Sequence, residues 1–234
     1  MGDRIADAAW KKWHEHARTT QTGCTLAIQF GIAPADERAD VGDALAALVR
    51  ANGGRIGTGF LGTPFVLFAL TSTDHAADAY RLLLNENCPG WLYQVKLGAT
   101  TTWERWDAIR PDGTVNASDM ADGSTMTSFN HYAYGSVAAW LYRSVAGLTP
   151  TRPGYREILL APHPGPLHRA AASIDTEYGT ASIDWSVTGS TCSIDVVLPP
   201  GTTGRFDTPA GWGVDRPVGT LGSGRHTVVL KESA

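Results

Sequence analysis

Lysine is scarce in this sequence: only four of its 19 cationic side chains are lysines, and no run of basic residues occurs. With a net charge of −4 and a pI near 5.9, the chain lacks the basic stripe of a phosphate-reading surface, and no nucleic-acid partner is expected. No apolar run reaches the roughly 18 residues a membrane span requires, so no membrane partner is expected either. Met1 to Trp10 is charged and helical in pattern, without the apolar core of a secretory leader; this leans the location towards the cytoplasm. Cysteine is limited to Cys24, Cys88 and Cys192, an odd number with no CxxC. Zinc ribbons and thioredoxin-type redox sites are therefore excluded, and buried free thiols are expected.

Metal-ligand spacing is also missing. His14 and His16 lie two apart on a helix and point to different faces, and His75, His163, His168 and His226 stand without ligand partners. Neither a metal site nor a cofactor is expected. Gly57 to Gly62 spells GxGxxG, but it lacks the strand context of a dinucleotide fingerprint, and Pro64 comes at once. It reads as a loop shaping a pocket rim. Asp112-Gly113 and Asp122-Gly123 are turns without the alternating acids of a calcium loop.

What is present divides into two halves. Four prolines precede residue 150 and nine follow from Pro150 onward. The first half has helical periodicity. Helices are predicted over 4–18, 22–30, 35–52 (stripe Val41, Leu45, Leu48, Val49, stopped by Asn52-Gly53-Gly54), 63–70 (opened by Thr63-Pro64), 76–86 (capped by Thr73-Asp74) and 132–145. A long irregular stretch, 88–129, lies before the last. After Gly147 the period becomes two, over 156–160, 169–174, 180–187, 193–198 and 226–230. The fold class is therefore multidomain, α then β: a partial (α/α)₆ toroid of about six helices, then an antiparallel β-sandwich. The boundary is placed so that residues 1–149 and 150–234 form the two domains. About six helices are roughly half of what a closed toroid of this kind holds, so the first domain is expected to lack a preceding half.

The chemistry concentrates in Gly98 to Asp107, GATTTWERWD. Glu104, one of seven glutamates, sits between Trp103 and Trp106 with Arg105 beside it. Sugar rings have apolar faces that stack on aromatics, and hydroxyls that need carboxylate or imidazole partners. A carboxylate among tryptophans also loses solvation, which raises its proton affinity and suits it to proton transfer. The competing reading is a surface Glu–Arg pair beside two core tryptophans. Trp91 and Tyr93 add aromatics upstream in a loop. Downstream, Ser128 or Asn130 is placed to cap the last helix, with His131 in its first turn as a ligand contact or an ordinary capping or core residue.

These residues resemble the C-terminal half of bacterial α-L-rhamnosidases of glycoside hydrolase family 78. The similarity lies in GTGFLGT (57–63), GATTTWERWD (98–107), SFNHYAYGSV (128–137), WLYRSVAG (140–147), PGY (153–155), Tyr178-Gly179 and Trp185. The resemblance implies an (α/α)₆ catalytic barrel followed by a small β-sandwich, and hydrolysis of terminal α-L-rhamnose with inversion. It implies Glu104 as general base, Trp91, Trp103 and Trp106 as pocket aromatics, and His131 as a sugar-hydroxyl contact. The acidic, Arg-containing segment that holds the family's general acid is not matched; Asp36-Glu37-Arg38 reads as a helix-opening charge cluster. The expected partners are rhamnose-containing glycosides, together with a missing N-terminal half or a second copy covering the exposed half-barrel. The expected function is that of a fragment of an inverting rhamnosidase, carrying the base without the acid. A non-catalytic sugar-binding remnant or an inactive scaffold is the alternative.

Overall fold

The computed structural model describes residues 2–116, 127–214 and 218–233. Asp122-Gly123 lies outside them. The chain forms two compact units, Met1–Val137 and Ala138–Ala234.

The first unit is built from helices packed in neighbouring pairs. α1 (Gly2–Ala17) buries Trp10, whose indole N–H donates to Glu37 Oε1 at 3.0 Å. The other Glu37 oxygen takes Arg18 at 2.8 Å, so the predicted charge cluster acts as a clamp between the first helices. α2 (Gln21–Gln29) is capped by Thr20, whose hydroxyl accepts from Gly23 N at 3.0 Å. A Cβ on Gly23 would lie 2.3 Å from the Ala17 carbonyl oxygen, so glycine permits the tight α1–α2 corner. α3 (Arg38–Ala51) buries Val41, Leu45, Ala46 and Val49, the stripe the periodicity predicts apart from half-buried Leu48.

α4 (Thr63–Thr71) is apolar on nearly every side because it packs against α2, α3 and α5 (Ala76–Leu83). The expected Thr73-Asp74 cap of α5 does not form. His75 is the N-cap, without a side-chain cap bond, and the Thr73 hydroxyl instead bonds back to Ala69 O at 2.9 Å. Asp78, only 2% exposed, is held on α5 by a fork from Arg50 on α3, at 3.0 and 2.5 Å.

Two elements differ from the sequence reading. Trp91–Lys96 is a short helix, α6, where a loop was expected. Six residues are too few for a periodic stripe, and Gly90 before it offers no side-chain cap. The last predicted helix is broken into α7 (Tyr132–Gly135), α8 (Val137–Trp140) and a π-helical turn, Leu141–Ala146.

The second unit carries two sheets. One has the order β1 (Leu148–Pro150), β2 (Glu157–Leu160), β6 (Thr203–Phe206), β8 (Thr220–Leu221). The other has the order β3 (Arg169–Thr176), β4 (Gly179–Thr188), β5 (Thr191–Leu198), β9 (Gly224–Glu232), β7 (Trp212–Val214). All pairs are antiparallel except β2–β6, which is parallel. The alternating residues Ala181, Ile183 and Trp185, and Cys192, Ile194, Val196 and Leu198, are buried. At Gly204 on β6 a Cβ would lie 2.8 Å from Leu198 and 3.0 Å from Leu160, so glycine lets the two sheets close. Trp185 is fully buried and its N–H donates to Val145 O at 3.0 Å. That contact explains why 138–146 groups with the strands.

The three cysteines are free; Cys24 and Cys192 are buried as expected, whereas Cys88 is half-buried. Among the described residues no helix is long and apolar enough to cross a membrane.

Candidate active site

The segment around Glu104 has no regular secondary structure of its own, yet its backbone is paired on both sides. On one side it zips antiparallel to 128–131. Glu104 N donates to Ser128 O at 2.9 Å, His131 N to Thr102 O at 2.8 Å, and the Thr102 hydroxyl to His131 O at 2.8 Å. The Thr101 hydroxyl adds a short bond to Phe129 O. On the other side, Trp103 N donates to Gln94 Oε1 at 3.1 Å, and Gln94 Nε2 donates to Arg105 O at 3.4 Å.

The Glu104 side chain is 9% exposed. Ser128 N donates to its Oε2 at 2.9 Å. Oε1 accepts no hydrogen bond, and no cation pairs with the carboxylate, among the described residues. The surface Glu–Arg pair that competed at the sequence level does not form: Arg105 instead pairs with Asp107 at 3.3 Å. Among the described residues, one oxygen is thus fixed by a backbone amide and the other has no hydrogen-bond partner.

Aromatic rings surround this carboxylate segment. Trp106 stacks on Tyr134 at 4.0 Å and 11°, and meets Trp91 edge-on at 5.4 Å. The Trp91 N–H donates to Tyr134 O at 2.9 Å. Trp103 meets Phe129 edge-on at 5.7 Å. All three tryptophans are buried, at 6%, 3% and 8% exposure for Trp91, Trp103 and Trp106. Trp106 and Tyr134 also line an open cavity of about 360 Å³ with Cys88, Pro89, Arg105 and Asp107.

His131 is the N-cap of α7, with Nδ1 accepting from Ala133 N at 3.3 Å. The capping role assigned to Ser128 or Asn130 therefore belongs to His131; the Ser128 hydroxyl accepts from Asn130 N at 3.2 Å instead. With Nδ1 used as acceptor, a neutral His131 carries its proton on Nε2 and offers a donor there. Its ring stacks on Phe60 at 5.0 Å and 14°.

Phe60 and Tyr134 are the site residues that sequence reasoning missed. Phe60 is 45% exposed and comes from the glycine-rich loop read as a rim. A bulky aromatic set among glycines was the available signal. Tyr134, within the helix predicted over 132–145, touches Phe60, Trp106 and Trp91. Burial pushes its phenol up from the ordinary tyrosine value, and the Glu104 charge pushes it further the same way. No cluster of three or more potential metal ligands occurs among the described residues.

A unit of paired helices followed by a β unit is the organisation of a six-hairpin glycosidase domain with a C-terminal β domain. The model of the bacterial alpha-L-rhamnosidase 6 hairpin glycosidase domain matches residues 3–145, and that of the bacterial alpha-L-rhamnosidase C-terminal domain matches 147–220. An alpha-L-rhamnosidase of Streptomyces avermitilis is 40% identical over 192 residues, 82% of this chain and 18% of that protein. The crystal structure of native α-L-rhamnosidase from Aspergillus terreus superposes with a TM-score of 0.82 at 36% identity, over 90% of this chain and 24% of that one. The Streptomyces avermitilis enzyme complexed with L-rhamnose gives 0.80 at 36% identity, over 90% and 21%. The chain belongs to the bacterial α-L-rhamnosidase family. It spans about a fifth of the length of the curated relatives it matches.

Proposed function

We propose that this chain supplies the second half of the catalytic barrel (residues 1–149) and the C-terminal β-sandwich (150–234) of an inverting α-L-rhamnosidase, and that Glu104 is the general base. The observation that carries this is the Glu104 carboxylate itself: one oxygen bound by Ser128 N–H, the other without a partner among the described residues, with aromatic rings alongside. Inversion needs a carboxylate that holds a water on the face of the sugar opposite the leaving group. A base fixed through one oxygen keeps its other lone pairs aimed at such a water. His131 Nε2–H donates to a sugar hydroxyl, and Phe60 and Trp106 offer apolar ring surface. Trp91 packs edge-on against Trp106, and Trp103 against Phe129.

The acid that protonates the leaving oxygen is absent from this reading. Asp107, the nearest acidic residue in sequence, is already engaged by Arg105 at 3.3 Å and by Asn116 at 2.6 Å. The acid is assigned to a preceding barrel half, provided by another polypeptide or by a longer form of this one. The exposed apolar residues Phe30, Phe60 and Leu61, 60%, 45% and 75% exposed, suit cover by that half or by a second copy.

The test is hydrolysis of an aryl α-L-rhamnoside by the chain alone and mixed with the preceding barrel half of a relative. Activity is expected only in the mixture, with release of β-L-rhamnose seen by NMR. Robust turnover by the chain alone would overturn the missing-acid assignment. Calorimetric binding of rhamnose by the mixture without any turnover would favour the sugar-binding remnant.

A further inference from the structure

We propose that Gln94 is a positioning residue for Glu104: its side-chain amide replaces a missing strand and fixes the backbone of the two residues that flank Glu104. The inference rests on the reading of Glu104 as the base.

Gln94 lies on α6 and is 2% exposed. Its neighbours on the buried face are Trp91 and Tyr93, so a polar side chain here carries a desolvation cost unless both ends of the amide are bonded. Both are. Oε1 accepts from Trp103 N at 3.1 Å and Nε2 donates to Arg105 O at 3.4 Å. These atoms belong to the residues immediately before and after Glu104. An amide is the side chain that presents a donor and an acceptor in one plane, as a peptide unit does. Gln94 thus bonds to the segment as an adjacent β-strand would.

The opposite edge of the segment is bonded to Ser128: Glu104 N donates to Ser128 O, and Ser128 N returns to Glu104 Oε2, both at 2.9 Å. The two edges divide the work. Ser128 binds the carboxylate directly. Gln94 holds the backbone so that the carboxylate reaches Ser128 with the other oxygen free. Without Gln94, Trp103 N–H is left buried and unpaired, the Trp103–Arg105 turn loses one of its two supports, and the Ser128–carboxylate contact loosens although Gln94 touches neither group.

Amide hydrogen exchange of the full 234-residue chain, followed by NMR, tests this. In the parent, the Gln94 side-chain amide and the Trp103, Glu104 and Ser128 backbone amides are expected to be protected; a freely exchanging Trp103 amide would overturn the proposal without any variant. In Gln94→Met the Ser128 amide is expected to exchange at least tenfold faster. Its resonance should move towards its position in Glu104→Ala, where the acceptor is gone, while the α3 amides keep parental rates within threefold. An unchanged Ser128 amide, or equal acceleration everywhere, refutes the positioning role. Gln94→Glu keeps the acceptor and loses the donor, and is expected to fall between. These readouts need no turnover, so they stand or fall separately from the assignment of Glu104 as base, which fails instead if Glu104→Gln leaves hydrolysis intact.

Discussion

Two buried carboxylates in the helical unit are treated in opposite ways. Around Asp78, between α3 and α5, both oxygens are taken by the Arg50 fork, and Arg81 approaches Oδ1 at 3.6 Å. Around Glu104, among the described residues, one backbone amide is the hydrogen-bond partner of the carboxylate. The first arrangement ties elements together and leaves nothing for an outside molecule. The second leaves lone pairs without a partner among the described residues, beside aromatic rings, as the proposed base role requires. A buried acid with full cationic pairing is part of the scaffold; a buried acid left half-satisfied is held ready for chemistry.

The largest expected effect breaks the comparison on the Glu104 side. In the assembled enzyme, Glu104→Gln is expected to lower turnover by about 10²–10⁴-fold, the usual size of a general acid–base contribution, and to leave the melting temperature of the chain near the parental value. Rhamnoside hydrolysis and thermal unfolding check this together. A large stability loss with normal turnover would place Glu104 in the same class as Asp78.

The next effects fall on the scaffold side. Asp78→Ala strands the Arg50 fork and opens a gap between α3 and α5. Arg50→Ala leaves a buried carboxylate with only the longer Arg81 contact, and is expected to lower stability, because the Asp78 charge loses its fork. The loss is moderated by the exposure of Arg50, whose side chain is 55% accessible. Denaturant unfolding of both variants measures it, and rhamnose binding by the assembled enzyme should be unchanged in each.

A smaller effect separates the two roles of His131. His131→Asn keeps a capping side chain on α7 but removes the Nε2 donor, whereas His131→Ala removes both. Only the alanine variant is expected to lose about 1 kcal/mol of stability, the worth of an N-cap. Both are expected to weaken rhamnose binding. Equal binding by the parent and His131→Asn would confine His131 to the cap.

These contrasts also show what was legible in the sequence. The helix stripes and the alternation after Gly147 carried the fold, because burial of one face leaves a period in the letters. Glu104, the three tryptophans and His131 were legible because they cluster within short segments. α6 and the edge strands β1, β7 and β8 were not, since two to six residues hold no period. Phe60 was missed because it approaches His131 only in three dimensions, from 71 positions away. Gln94 was missed because its role is to bond backbone, and backbone partners leave no trace in residue types.

The smallest effect concerns Tyr134 and sharpens the contrast by reading the Glu104 charge from a neighbour. Burial, and then the Glu104 carboxylate, raise the Tyr134 phenol above the ordinary tyrosine value. A group whose folded-state value is raised contributes stability in full below its unfolded value, and loses it as pH rises through the folded one. Tyr134 therefore favours the native state at neutral pH and ceases to do so on the alkaline side, above about pH 10. Glu104→Gln removes the charge and leaves the burial. Ultraviolet titration of the phenols should then show one tyrosine ionising at lower pH than in the parent yet still above the ordinary value, and alkaline unfolding should set in slightly later. Tyr80, raised by burial alone, serves as the internal control and should not move. An unshifted Tyr134 would mean that solvent screens the Glu104 carboxylate too well for it to act on its neighbour.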